Sequence, residues 1–145
     1  MGVSGAGGVR RIYLPVGARE LQALADEREL PARGEVGFTV TPALRDEAGS
    51  GDDEEELEYL AIQQAADAAA GHGQRVIAAA DLDGTDIGEA GAGPQSAAIS
   101  VLSPVPLRRV ASLHVLDADG PQEGEWELSW YDVTELPAVQ DLLAD

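Results

Sequence analysis

The 145-residue chain contains no cysteine and no lysine, and aromatic residues make up only 4% of it. Without cysteine it can form no disulfide framework, no thiolate zinc site and no thiol nucleophile. No apolar run approaches membrane-spanning length, and the opening MGVSGAGGVRR has no apolar core like that of a signal peptide. These absences predict a soluble cytoplasmic protein with no membrane partner.

Negative charge is what the chain has in excess. The formal net charge is -18, and residues 46–145 hold 22 acids against three arginines. Such a field repels phosphate backbones and attracts basic surfaces over a Debye length of roughly 8 to 10 Å. The composition therefore argues against direct nucleic-acid binding and favours a basic protein as partner. It does not separate a functional role of the charge from adaptation to salt or from a GC-rich genome.

Hydrophobic periodicity predicts an α+β or α/β fold in a single domain. Alternating apolar residues indicate strands, and the three- to four-residue spacing of leucines and alanines indicates helices. The predicted strands are 10–16, 35–40, 74–80, 97–102, 111–116 and 126–131. The predicted helices are 18–29, a long central helix that follows Ser50 and ends near His72, and 134–143. The β-α-β-α-β start predicts a mixed sheet of five or six strands, with helices packed on it and a C-terminal helix. Residues 1–9 are expected to be a flexible tail, 10–145 the domain, and 82–97 a flexible loop.

The acidic run DDEEE at residues 52–56 begins the long central helix. Ser50 stands where an N-cap is expected and Asp53 follows three residues later, while acids in a first turn are favoured by the helix dipole. On a helical projection the only aligned polar strip is Glu56, Gln63 and Asp67. The residues that we predict to contact a basic partner are Asp52, Asp53, Glu54, Glu55, Glu56, Gln63 and Asp67.

Glu58 projects among apolar residues of the same helix. A carboxylate there should reach the edge of the helix or meet a cation, for which Arg45 is the candidate. This predicts a buried ion pair, or a pocket formed by Arg45, Glu58 and neighbouring Tyr59. With Asp81, the same groups suggest a small carboxylate-based enzyme as the alternative, a metal-assisted hydrolase or phosphotransfer enzyme.

Other motifs are incomplete. An apolar strand followed by Asp81-Leu82-Asp83-Gly84-Thr85 looks like the first motif of the haloacid dehalogenase phosphotransferases, but that family also uses a lysine, and this chain has none. Asp81, Asp83 and Asp86 could form at most a weak divalent-cation site, and counting from Asp81 puts an Asp where a calcium loop needs Gly. We therefore predict neither a cofactor nor a metal site.

The two histidines lack partners at metal-ligand spacing. His72 is expected to help end the central helix and His114 to be a structural residue of a strand. Trp126, Trp130 and Tyr131 suggest either core packing or a stacking platform, and we favour core packing.

Five segments in order resemble an actinobacterial family of short acidic proteins classed as a domain of unknown function. They are IYLP (12–15), FTVTPALRD (38–46), DEEELEYLA (53–61), LHVLDAD (113–119) and LSWYDVTEL (128–136). The resemblance implies a single cytoplasmic domain and no particular activity. The sequence thus predicts an uncharacterised acidic protein, a non-enzymatic interaction or regulatory module that binds a basic partner. It leaves the oligomeric state open.

Overall fold

The computed structural model describes residues 8–32, 34–49, 53–88 and 96–144. Three predictions fall wholly or partly outside these ranges: the flexible tail up to residue 7, the N-cap and contact roles of Ser50 and Asp52, and residues 89–95 of the expected loop. Within the described ranges, no helix is long and apolar enough to cross a membrane.

The described residues form nine strands and four helices. The strands are β1 Val9–Val16, β2 Glu29–Leu30, β3 Val36–Phe38, β4 Val76–Asp83, β5 Ile87–Gly88, β6 Ala98–Val101, β7 Val105–Pro106, β8 Val110–Leu116 and β9 Leu128–Asp132. The helices are α1 Ala18–Glu27, α2 Pro42–Ala48, α3 Glu54–Gly71 and α4 Leu136–Ala144. The α+β class, the single domain and the C-terminal helix are confirmed.

The main sheet has seven strands in the order β5-β6-β3-β1-β4-β8-β9, and β2 pairs with β7 in a second, two-stranded sheet. The predicted count of five or six strands was too low, because strands of two residues carry no periodic signal. The predicted mixed pairing was also wrong, since every pair is antiparallel. β3 and β4 do run in the same direction, as a helical crossover requires, but β1 lies between them and pairs antiparallel with both.

Both faces of the main sheet are covered. β4 shows the division, because Val76, Ala78 and Ala80 belong to one buried cluster, whereas Ile77 and Ala79 belong to the other. The first cluster includes residues of α1 and α4, and the second is formed largely by α3. Alternation along a strand sends successive side chains to opposite faces, so the three layers follow from period-2 patterning.

Helix α3 packs closely on the sheet because its buried face is rich in alanine. Ala61, Ala65, Ala66 and Ala69 are fully buried against the second cluster. The helix begins at Asp53, whose carboxylate accepts a hydrogen bond from the amide of Glu56 at 2.9 Å. Asp53 is therefore the N-cap, the role that the sequence had suggested for Ser50.

The caps of the other helices are local and simple. The Thr41 hydroxyl caps α2 by accepting from the amide of Leu44 at 3.0 Å, as the Thr-Pro pair predicts. The turn before α4 is capped by Asp132, which accepts from Thr134. The last residue of β9 is therefore also the cap of the helical turn that follows it.

Candidate functional site

Three polar side chains on one face of α3 bind the loop between β8 and β9, residues 117–127. The Tyr59 hydroxyl donates to the Glu125 carboxylate. Gln63 donates to the Trp126 carbonyl at 3.1 Å and accepts from the Trp126 amide at 2.8 Å. The Trp126 indole donates to Asp67 at 2.8 Å. Since these residues are four apart, they lie one above the other, and we call Tyr59, Gln63 and Asp67 the docking strip.

Two of the residues predicted to contact a partner, Gln63 and Asp67, therefore hydrogen-bond to the chain's own loop. The projection had aligned them correctly, but a helix pattern does not show which surface faces it. Glu54, Glu55 and Glu56 are exposed at the beginning of α3, and Asp53 uses its carboxylate as the helix cap.

The loop reverses direction through positive-φ residues. Gly120 and Gly124 have φ of 83° and 84°, and Glu123 has φ of 53°, a conformation that side chains rarely adopt. Gln122 and Glu125 exchange backbone hydrogen bonds across the turn at 2.7 and 3.0 Å. Trp126 packs its ring against the second buried cluster. The loop is thus fixed by the backbone hydrogen bonds at its tip, by packing of the Trp126 ring and by the docking strip.

Docking of the loop creates an acidic cavity of about 370 Å³. Its lining residues are Tyr59, Gln122, Glu123, Glu125, Trp126 and Glu127. The hydrogen bond to the Glu125 carboxylate raises the pKa of the Tyr59 hydroxyl, with smaller contributions from burial and from the Glu125 and Glu127 charges. The cavity therefore combines three carboxylates with two aromatic rings, a chemistry suited to guanidinium or ammonium groups.

The charge on this side of the molecule is of one sign. Residues 46–74 and 110–145 contain nine acids each and no arginine. The docking strip brings α3 and the loop 117–127 together, and we call the exposed carboxylates of the first turn of α3 and of this loop the acidic face. Arg45 and Arg75 stand at its ends: Arg45 pairs with Glu54, and Arg75 lines a shallow cavity with Asp117 and Trp126.

The predicted group of Arg45, Glu58 and Tyr59 comes apart in the structure. Arg45 and Glu58 are exposed, which corrects the expectation of a buried pair, and they line an open cleft of about 200 Å³. Tyr59 lies in the acidic cavity instead. Consecutive helical residues point about 100° apart, so Glu58 and Tyr59 cannot serve one small pocket.

The open cleft is rich in arginine, but several of its charged side chains already have partners within the protein. Arg45 binds Glu54, and Arg11 binds Asp81 through Nε and Oδ1 at 2.6 Å. Glu58 accepts from the Tyr13 hydroxyl at 3.3 Å. Burial, and then the charge of Glu58, raise the pKa of Tyr13 to about 12.

Two aspartates at the end of β4 are held by arginines. Asp81 pairs with Arg11, and Asp83 lies 3.5 Å from Arg109. In the described part of the chain, no three acidic or histidine side chains are placed to hold a metal ion. Asp81 and Asp83 thus each have an arginine partner.

The histidines and aromatic residues take separate places. His72 is the C-cap of α3, in agreement with its predicted role. His114 is half-buried on β8, with its Nε2 3.0 Å from the Ser112 hydroxyl. Tyr131 packs against the first buried cluster and Trp126 against the second, whereas Trp130 is 63% exposed. Core packing therefore holds for two of the three, and the exposure of Trp130 is the part that sequence reasoning missed.

Comparison with known proteins identifies a family but no function. The model of a family of unknown function, DUF6912, matches residues 10–140. No curated protein and no solved structure matches the chain. The resemblance to a domain of unknown function is thereby confirmed, and its actinobacterial origin stays an expectation. The chain belongs to the DUF6912 family of unknown function.

Proposed function

We propose that this protein is a non-enzymatic interaction module that binds a basic partner protein through its acidic face. The observation that carries the proposal is the docking of two arginine-free acidic segments, α3 and the loop 117–127, against each other. Like charges repel, so bringing these segments together opposes folding unless packing and hydrogen bonds offset the repulsion. A cationic partner surface would relieve that repulsion.

The acidic cavity supports the same conclusion at atomic scale. Glu123, Glu125 and Glu127 are exposed, and Tyr59 is 44% exposed beside them. An arginine of a partner would meet carboxylates that accept bidentate hydrogen bonds and an aromatic ring that favours a cation. The exposed Glu54, Glu55 and Glu56 extend the field along α3 and would steer the encounter more than they hold the complex.

The loop is preorganised for such contacts. Gln63 hydrogen-bonds to both the amide and the carbonyl of Trp126 and so fixes the loop backbone. Asp67 accepts a hydrogen bond from the Trp126 indole and so fixes the ring. Binding to a loop that is already ordered loses less conformational entropy than binding to a mobile one.

We propose no catalytic role for the arginine-rich cleft. Its Arg45 is paired with Glu54, its Arg11 is paired with Asp81, and its Glu58 is hydrogen-bonded to Tyr13. No contact there favours the enzyme alternative over an exposed structural network.

The test is salt-dependent capture by the immobilised protein from a lysate of the cells that make it. We expect basic proteins to be retained at low salt and released near about 0.5 M, where the Debye length is only a few Å. Replacing Glu123, Glu125 and Glu127 by Gln should lower retention about tenfold, because each lost charge contact contributes roughly 0.5 kcal/mol.

The matched control carries the same change in net charge elsewhere. Asp26→Asn, Glu27→Gln and Glu29→Gln neutralise three exposed acids at the end of α1 and in β2. This variant should bind like the unmodified protein. Equal losses of retention in both variants would show that retention depends on net charge alone. If no basic protein is retained at low salt, the proposal is refuted.

A further inference from the structure

The strand β9 forms an open edge of the main sheet. It lies at the end of the strand order, and its outer side pairs with no strand among the described residues. The opposite edge is β5, which has two residues, whereas β9 has five. An edge strand of this length presents unpaired amides and carbonyls on which a further strand can form.

Proteins usually protect such an edge with lysine, proline, a bulge or a covering segment. The segment LSWYD of β9 contains no cation and no proline. Its register with β8 is unbroken from Ser112↔Asp132 to Leu116↔Leu128, whereas the β4–β8 pairing shifts between Ala79 and Ala80. The exposed Trp130 lies in the middle of this regular strand. The edge is therefore both regular and partly apolar.

The charges that flank β9 along the chain are negative. Glu127 precedes β9 and Asp132 ends it, and no arginine follows Arg109 in the chain. A second copy of this protein would bring the same carboxylates, and a net charge of -18, against each other. A basic segment meets no such repulsion. The flanking negative charges thus favour a basic partner segment at this open edge.

We propose that an extended basic segment of a partner protein adds to β9 as a further strand. Backbone hydrogen bonds to the edge would hold the segment, and an arginine or lysine side chain would lie over the Trp130 ring. Glu127 and Glu125 continue from β9 into the acidic cavity, so one segment could reach both. The inference rests on the proposed function and gives its mode of binding.

The probe is an eight-residue peptide of alternating arginine and valine, acetylated and amidated at its ends. Calorimetry should show binding to the full chain, and hydrogen exchange should show slower exchange at the amides of Leu128 and Trp130, which point away from β8. Two further peptides carry N-methyl groups at alternate amides, the first along one edge of the extended peptide and the second along its other edge. N-methylation keeps the charges and side chains of the peptide but removes the backbone hydrogen bonds that those amides would donate. At least one should bind roughly tenfold more weakly, because two or more backbone hydrogen bonds are lost.

The protein variant is Trp130→Ala, and the matched control is Val9→Ala. The two side chains are similarly exposed, at 63% and 61%, but Val9 lies at the far arginine-rich cleft. Trp130→Ala should weaken peptide binding about two- to fivefold through loss of the cation–π contact, and Val9→Ala should leave it unchanged.

The outcomes separate this inference from the proposed function. If all three peptides bind equally and β9 exchange is unaltered, binding to the acidic face stands and strand addition is overturned. If no peptide binds, strand addition is overturned, and lysate capture decides the proposed function by itself. A dimer that protects the amides of Leu128 and Trp130 would show that a second copy covers the edge, and protection of these two amides in the monomer would show that the chain's own segment covers it.

Discussion

His114 illustrates how a single position couples to pH. It lies half-buried on β8, opposite Trp130 on β9 and Ile77 on β4. Burial lowers the pKa of its imidazole below the usual 6.5, and the charge of Arg11 lowers it further. The imidazole is therefore neutral in the folded protein at neutral pH, and protonation opposes folding.

We expect stability to fall as the pH drops through about 6.5, because the unfolded chain then binds a proton at His114 that the folded chain resists. The loss should level off below the lowered folded pKa. His114→Gln should remove this component, so its urea midpoint should vary less than that of the unmodified protein between about pH 7.5 and 5.5. His72→Gln, at an exposed helix end, is the control, and parallel curves for all three proteins would contradict the assignment.

Residue roles that depend on nearby sequence were predictable, and those that depend on distant segments were not. His72, between two glycines, was placed at a helix end correctly. Glu58 was assigned to Arg45, but its partner is Tyr13, 45 residues away. A helical projection gives the direction of a side chain and cannot give what lies in that direction.

Among the elements, β3 depends on the absence of a side chain at Gly37. A Cβ there would lie 2.8 Å from Ile12 Cγ2, 3.2 Å from Leu14 Cδ2 and 3.3 Å from Ile99 Cδ1. β1 and β6 therefore send large side chains across the place where β3 has none. This contact is invisible in the sequence, where Gly37 only interrupts an alternation.

Gly37→Ala should destabilise the fold by about 1–3 kcal/mol, because the added methyl forces branched core side chains to move. Gly71→Ala is the control, since a Cβ at the end of α3 has no atom within 4 Å, and its effect should be near zero or slightly stabilising. Chemical denaturation measures both. A Gly37→Ala protein as stable as the Gly71→Ala protein would show that the core there is loosely packed.

The positions of helices and strands along the chain were easier to predict than the strands and loops that they contact. β1, β8 and α3 have strong periodicity and were placed within a few residues. The pairing of β6 with β3 joins segments about sixty residues apart, and no local pattern encodes it. For the same reason the polar strip on α3 was found, but the loop that it binds was not.

At the scale of the whole molecule, repulsion between carboxylates is weakly compensated. The ion pairs between described side chains are Arg11–Asp81, Arg45–Glu54 and Arg109–Asp83, and all of these side chains are at least one-third exposed. Exposed pairs of this kind contribute little to stability. A net charge of -18 should therefore oppose the compact state.

Sodium chloride up to about 0.5 M should accordingly raise the free energy of unfolding by about 1 kcal/mol, because screening weakens repulsion more than it weakens three exposed pairs. Urea denaturation at increasing salt measures this. The variant in which Glu123, Glu125 and Glu127 are replaced by Gln should be more stable than the unmodified protein at low salt. Its free energy of unfolding should increase less as salt is added. A decrease in stability with salt would mean that attraction between the pairs outweighs the repulsion.

The position of β1 between β3 and β4 also bears on the order of assembly. β1 is made before both strands that flank it, and β4 begins at Val76, after α1, α2 and α3 have been synthesised. A nascent chain therefore exposes the apolar side chains of β1 until the ribosome has delivered β4, and distant pairings of this kind fold slowly. Over that interval, the carboxylates already emerging between the two strands would keep neighbouring nascent chains apart.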